Sequence, residues 1–147
     1  MKIFGYWGRF DAPYVKVRFV CKKFGIDGKI IFLIDLGSSS TVISETDAEK
    51  LKIDYAPLQK LSKGMTGIGG SAKTYLMEDI ELYFESDRGF YRANHDHIFV
   101  IKNGAKRDSK IKQLIPSLLG RDFLNQMAVL AGKRHNLVLI TDEVLTV

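Results

Sequence analysis

The feature that most constrains this chain is an apolar run that ends in an acid. Residues 30–34 read Ile-Ile-Phe-Leu-Ile, and Asp35, Leu36, Gly37 and three serines follow directly. A short continuous apolar run predicts a strand that is buried on both faces. A carboxylate at the end of such a strand costs free energy unless other groups satisfy it. Asp35 is therefore the leading candidate for chemistry, and the alternative is an Asx turn in which it bonds its own downstream amides.

Alternating apolar residues and glycine-containing turns predict more strands on both sides of this run. We expect strands at 14–20, 29–34, 41–43, 71–84 with a bend near Met77, 90–101, 114–119, 128–130 and 136–141. Short helices are expected at 44–51, with Ser44 as the N-cap, and at 122–127, with Asp122 as the cap. This pattern predicts an all-β fold, a partly closed barrel or sandwich with one or two short helices. The length suits one domain over residues 1–147.

The strand pattern also predicts which side chains form the core. The residues expected to be largely buried are Val15, Val17, Phe19, Ile31, Leu33, Leu82, Phe99, Leu118, Leu119, Phe123, Leu137 and Leu139.

Four glycines lie between positions 64 and 70 and surround one large apolar residue, Ile68. Glycines allow positive φ and close approach of the backbone to other groups. A phosphate-binding loop is a poor interpretation, because no Lys-Ser/Thr pair and no helix pattern follow. The segment Gly67-Ile68-Gly69-Gly70 is therefore read as a hairpin tip. Ile68 either contacts something beyond the hairpin or packs back onto its own sheet.

Composition argues against several classes of function. The net charge is +5, but the basic residues are scattered apart from the run at 102–112, and no nucleic-acid-binding motif accompanies them. No stretch approaches the about 20 apolar residues that span a bilayer. His95 and His97 lie two residues apart on one strand without further ligands at suitable spacing, so we expect no metal and no cofactor. The single cysteine, Cys21, is compatible with a reducing compartment, and we expect a cytoplasmic location without nucleic-acid or membrane partners.

Three motifs in order give a resemblance to a known family. An apolar strand ends in Asp35-Leu36-Gly37-Ser38, a hairpin carries Gly67-Ile68-Gly69-Gly70, and a second apolar strand enters Gly120-Arg121-Asp122. Together they resemble the retropepsin-like aspartic proteases, the family of the retroviral proteases, over roughly residues 15–141. The resemblance implies a closed β-barrel with a flap hairpin.

The resemblance also implies roles for individual residues. Asp35 matches the catalytic aspartate, and Gly37, Ser38 and Ser39 lie where a substrate would bind. The segment from Gly67 through Ile68 and Gly69 to Gly70 matches the tip of the flap that closes over a peptide. Gly120, Arg121 and Asp122 match the corner that supports the active-site loop, with Leu36 inside that loop.

The function that follows is aspartic endopeptidase activity in a homodimer. Two Asp35 carboxylates, one from each copy, would activate a water that hydrolyses an extended polypeptide. The alternative is a catalytically inactive retropepsin-like domain for peptide binding or assembly.

Two departures from the family pattern bear on this choice. Leu36 stands where the family has a threonine that hydrogen-bonds the opposite loop, and leucine neither donates nor accepts. Ser39 and Ser40 stand where viral members place an acid that pairs with the corner arginine. Arg121 therefore needs another partner: Asp122, a carbonyl of the Asp35 loop or a terminal carboxylate.

Overall fold

The structure is a computed structural model, which describes residues 1–62, 65–67, 70–103 and 113–143, with the backbone alone at 65–67, 70 and 71. The strands are β1 (Lys2–Phe4), β2 (Tyr6–Trp7), β3 (Pro13–Cys21), β4 (Ile26–Ile34), β5 (Val42–Ile43), β6 (Gln59–Lys60), β7 (Met65–Gly67), β8 (Gly70–Ser86), β9 (Gly89–Asn103), β10 (Ser117–Leu119), β11 (Ala128–Gly132) and β12 (Leu137–Thr141). Short helices α1 (Glu45–Lys50) and α2 (Arg121–Leu124) and several 3₁₀ turns connect them. The predicted all-β class with short helices is confirmed.

The larger sheet closes on itself. Its strand order is β2-β3-β4-β10-β5-β9-β8-β6, and β3 also pairs with β8 from Val17 opposite Phe84 to Val20 opposite Glu81. Six strands, β3, β4, β10, β5, β9 and β8, therefore form a closed barrel, as the sequence predicted. Closure removes the free edges that an open sheet would expose. A smaller sheet of order β1-β12-β11 joins the two ends of the chain.

The parallel pairing of β4 with β10 determines where the acid lies. β4 and β10 run parallel, with Leu33 beside Leu118 and Ile34 beside Leu119. Parallel neighbours end at the same edge of a sheet, so the turn after β4 and the corner after β10 lie next to each other. The two outer motifs of the sequence are thereby brought together.

The core prediction is half correct. Six of the expected residues are buried: Val15, Val17, Phe19, Leu82, Leu119 and Phe123. The expectation that residues 30–34 are buried on both faces is wrong, because Ile31 is 45% exposed while Ile30, Phe32 and Ile34 face the core. Half-buried rather than buried are Leu33, Phe99, Leu118, Leu137 and Leu139. A continuous apolar run carries no period-two signal, so its inward-facing set could not be read from the sequence.

Local predictions have mixed outcomes. Ser44 caps α1, and its hydroxyl accepts a hydrogen bond from the Asp47 amide, as expected. The second helix is shorter than expected and begins after Gly120, so Asp122 is not its cap. The irregularity of β8 lies at Asp79, which has φ 59° and no partner between the paired positions Glu78 and Ile80. The pairing register is the same on both sides of Asp79, and Asp96 is the residue across from it on β9, so β8 is locally distorted without the extra residue of a β-bulge.

The strand that precedes the corner is also shorter than predicted, Ser117–Leu119 instead of 114–119. β9 continues through Asn103, beyond the predicted end at position 101. Most of the predicted polar loop at 102–113, together with Ile68 and Gly69 of the glycine-rich hairpin, lies outside the described residues. Within the described ranges, no helix is both long enough and apolar enough to cross a bilayer.

Candidate active site

Asp35 lies in a tight turn at the end of β4. Its amide donates to the Leu119 carbonyl at 3.0 Å, and its carbonyl accepts from the Ser38 amide at 3.2 Å. The Gly37 amide donates to Asp35 Oδ1 at 2.8 Å, which is the Asx-type bond of the alternative interpretation. Among the described residues, Gly37 is the one donor to this half-buried carboxylate. One carboxylate oxygen is thus held by the turn, and Oδ2 is left for another group.

The corner after β10 supports this turn from below. The Arg121 amide donates to the Ser38 carbonyl at 2.8 Å, and Arg121 Nη1 donates to the Leu36 carbonyl at 2.8 Å. A side chain at Gly120 would collide with the Ser40 carbonyl and lie 3.0 Å from the Ser38 carbonyl oxygen, so only glycine fits there. The sequence left three possible partners open for the Arg121 side chain. In the structure its partner is a carbonyl of the Asp35 loop.

Asp122 holds the far end of the same loop. Its carboxylate accepts from the Thr41 amide at 2.8 Å, the Thr41 hydroxyl at 2.7 Å and the Phe123 amide at 2.9 Å. The Thr41 hydroxyl in turn accepts from the Gly120 amide at 3.2 Å. Sequence reasoning missed the role of Thr41, the fourth hydroxyl residue in a row and the last one before the apolar pair of β5.

His95 lies behind Asp122. Its side chain is 7% exposed, and Nε2 is 3.8 Å from Asp122 Oδ2. Neither ring nitrogen has a hydrogen-bond partner in the described part of the chain. Burial lowers the pKa of His95, and the nearby Asp122 carboxylate opposes that effect. His97 is exposed, and no group of three or more possible metal ligands occurs among the described residues.

An apolar surface adjoins Asp35 on the outward face of the barrel. Residues paired in register share a face, and one such row runs from Leu33 to Leu118, Val42, Phe99 and Leu76. Val42, Ala72 and Ile101 form a buried cluster against which Phe99, Ile115 and Leu118 pack. The end of β4 therefore presents a carboxylate beside half-buried apolar side chains.

The glycine-rich segment is a hairpin built on this surface. β7 pairs with the start of β8, with Met65 opposite Ala72 and Gly67 opposite Gly70. Ala72 belongs to the apolar cluster, so the base of the hairpin is joined to the surface beside Asp35. Ile68 and Gly69, the predicted tip, lie outside the described residues.

Comparisons with known proteins found one family model and similar solved structures. A family model described as aspartyl protease matches residues 23–123. A solved structure of a retropepsin-like aspartic protease from Rickettsia conorii is 18% identical, with TM-score 0.61, over 95% of this chain and 98% of that one. A structure of EIAV protease with the inhibitor HBY-793 is 17% identical, with TM-score 0.48, over 81% of this chain and 90% of that one. No curated protein matches the sequence.

Proposed function

Since this chain belongs to the aspartyl protease family, we propose that it is an aspartic endopeptidase that acts as a homodimer. One observation carries the proposal. Asp35 directly follows β4, a strand with one face in the core, its turn is held by hydrogen bonds within the chain, and one of its carboxylate oxygens has no donor among the described residues.

The chemistry requires two carboxylates, and each copy contributes one. Two like charges about 3 Å apart do not both ionise, so the pair of Asp35 side chains shares one proton. The ionised carboxylate acts as general base on a water, and the protonated one acts as general acid on the peptide carbonyl. Water attacks directly, and no covalent intermediate with the protein forms. The apparent pKa values belong to the pair and not to either residue.

The proposed substrate is an extended polypeptide. An extended peptide pairs its backbone with strands or loops, and its alternate side chains fill pockets. Gly37, Ser38 and Ser39 are proposed to contact the peptide from the Asp35 side. The hairpin segment 67–70, with Gly67, Ile68, Gly69 and Gly70, would cover it from the other side as a flap. The half-buried apolar row that begins at Leu33 favours apolar substrate side chains next to the cleaved bond.

One observation favours a second function. Leu36, in the turn that carries the acid, is 55% exposed and has no hydroxyl. If this replacement prevents productive pairing of the two loops, the chain is a retropepsin-like binding or assembly domain without turnover. We further propose that residues 1–147 form one domain, and that the buried free thiol of Cys21 suits a cytoplasmic location.

Cleavage of denatured casein between about pH 3 and 7 tests the proposal. Wild type should cleave casein. Asp35→Asn should cleave it about 10²- to 10⁴-fold more slowly than wild type, since the substitution removes the acid–base group. Asp54→Asn is the matched control, because Asp54 also accepts an amide two residues on, from Ala56 at 3.0 Å. That variant should cleave like wild type. A wild-type dimer that fails to cleave would favour the binding domain.

A further inference from the structure

Six backbone groups of the Asp35 turn have hydrogen-bond partners within a single copy of the chain. The Asp35 amide bonds the Leu119 carbonyl, the Gly37 amide bonds the Asp35 carboxylate, and the Ser38 amide bonds the Asp35 carbonyl. Arg121 bonds the carbonyls of Leu36 and Ser38. These bonds hold the turn from within its own copy of the chain.

The part of the turn that points outward is apolar. Leu36 is 55% exposed, although turn positions usually carry glycine or small polar residues. A single exposed leucine on a protein surface is common and usually has no function. This one directly follows Asp35, so the two α-carbons are about 3.8 Å apart. A second copy that brings its own Asp35 turn up to this one therefore comes close to an exposed leucine.

We propose that Leu36 is the apolar contact by which two copies of the chain meet, packing against the same residue of the second copy. This rests on the proposed function, in which two Asp35 carboxylates share a water. In a twofold interface the residues nearest the axis contact their own counterparts. Asp35 must lie at the axis for the carboxylates to meet, and Leu36 is its neighbour in a tight turn.

The junction so formed differs from a hydrogen-bonded one. Leucine has no donor or acceptor in its side chain, so a junction through this position gains free energy by removing apolar surface from water. Arg121 and Gly37 then position each loop from within its own copy. Each copy carries a formal charge of +5, which disfavours association at low salt. Because salt screens that repulsion and leaves an apolar contact intact, added salt should not weaken the dimer.

Sedimentation equilibrium over a range of protein concentrations tests the contact without any assay of catalysis. Leu36→Ser should weaken dimerisation about 30- to 1000-fold, because two half-exposed leucines are lost from the contact. Leu36→Met conserves apolar volume and should stay within about tenfold of wild type. Phe90→Ser is the control for loss of exposed apolar surface, since Phe90 is 73% exposed at the far hairpin of β8 and β9. It should dimerise like wild type.

The outcomes separate this inference from the proposed activity. If Leu36→Ser dimerises as tightly as wild type, or Leu36→Thr dimerises more tightly, the apolar contact is wrong, whatever the casein assay shows. If Leu36→Ser is weakened but wild type does not cleave, the contact stands and the protease proposal fails. A wild type that stays monomeric at every concentration overturns both. If both proposals hold, cleavage by Leu36→Ser should recover as its concentration is raised.

Discussion

The neighbouring strands β4 and β10 are each followed by a tight corner that carries an aspartate. The two carboxylates differ in how many hydrogen bonds they accept. Asp35 accepts one hydrogen bond, from the Gly37 amide two residues on. Asp122 accepts three and joins the corner to Thr41, at the far end of the Asp35 loop. The comparison teaches that the rigidity of the site lies in the second corner. The first acid is held by one amide and keeps a carboxylate oxygen without a donor among the described residues, which suits the catalytic role proposed for it.

Alanine variants at the two acids are the strongest way to break this comparison. Asp35→Ala should abolish casein cleavage and lower the free energy of unfolding by at most about 1 kcal/mol, the value of one hydrogen bond. Asp122→Ala should lower it by about 2–3 kcal/mol, since the buried Thr41 amide and hydroxyl lose their acceptor. Urea unfolding at a fixed protein concentration measures both, because dimerisation makes stability concentration-dependent. Equal destabilisation by the two variants would contradict the comparison.

Much of this site could be predicted from local sequence, because its motifs are local. The acid after the apolar strand, the corner at Gly120 and the N-cap at Ser44 all follow from short patterns, and the structure has them in these positions. The catalytic role given to Asp35 stays a prediction.

What could not be predicted depends on contacts between distant residues. The pairing of Lys2 with Thr141 joins the two ends of the chain, and nothing in either segment alone specifies it. The sequence left three kinds of partner open for Arg121, and the choice of the Leu36 carbonyl among them depends on a backbone group that carries no sequence signal. The sequence also could not show which residues of β4 face the core, because Ile30 and Ile31 are the same residue type but only Ile30 is buried.

A smaller effect should come from the arginine that links the two corners. Arg121→Met keeps the apolar stem of the side chain and removes the bond to the Leu36 carbonyl, which should cost about 1 kcal/mol of unfolding free energy. Hydrogen exchange at the Gly37 and Ser38 amides should become faster, while exchange in the barrel strands stays unchanged. Arg134→Met, at an exposed arginine in a 3₁₀ turn, is the control. Unchanged exchange in the Arg121 variant would show that the turn is rigid without this link.

The smallest expected effect concerns His95, the buried neighbour of the second aspartate. Burial lowers the pKa of His95 and His97 lowers it further, while Asp122 and Asp96 partly offset this. The unfolded chain therefore binds a proton below about pH 6.5 that the folded chain does not yet bind. The contribution of neutral His95 to stability is present above that pH. It is lost as the pH falls toward the folded pKa, by at most about 1.4 kcal/mol per pH unit.

Replacing the histidine should remove this acid sensitivity. His95→Leu fills a similar volume without a titrating group, so its unfolding free energy should fall less than that of wild type between about pH 6.5 and 5. Urea unfolding at several pH values within that interval gives the two slopes. His97→Leu, at an exposed position on the same strand, should keep the wild-type slope. If His95→Leu and wild type lose stability in parallel, the proton is not excluded by burial. The Asp122 carboxylate would then fully offset the effect of burial on the pKa of His95, and the protonated histidine would form an ion pair with the second corner.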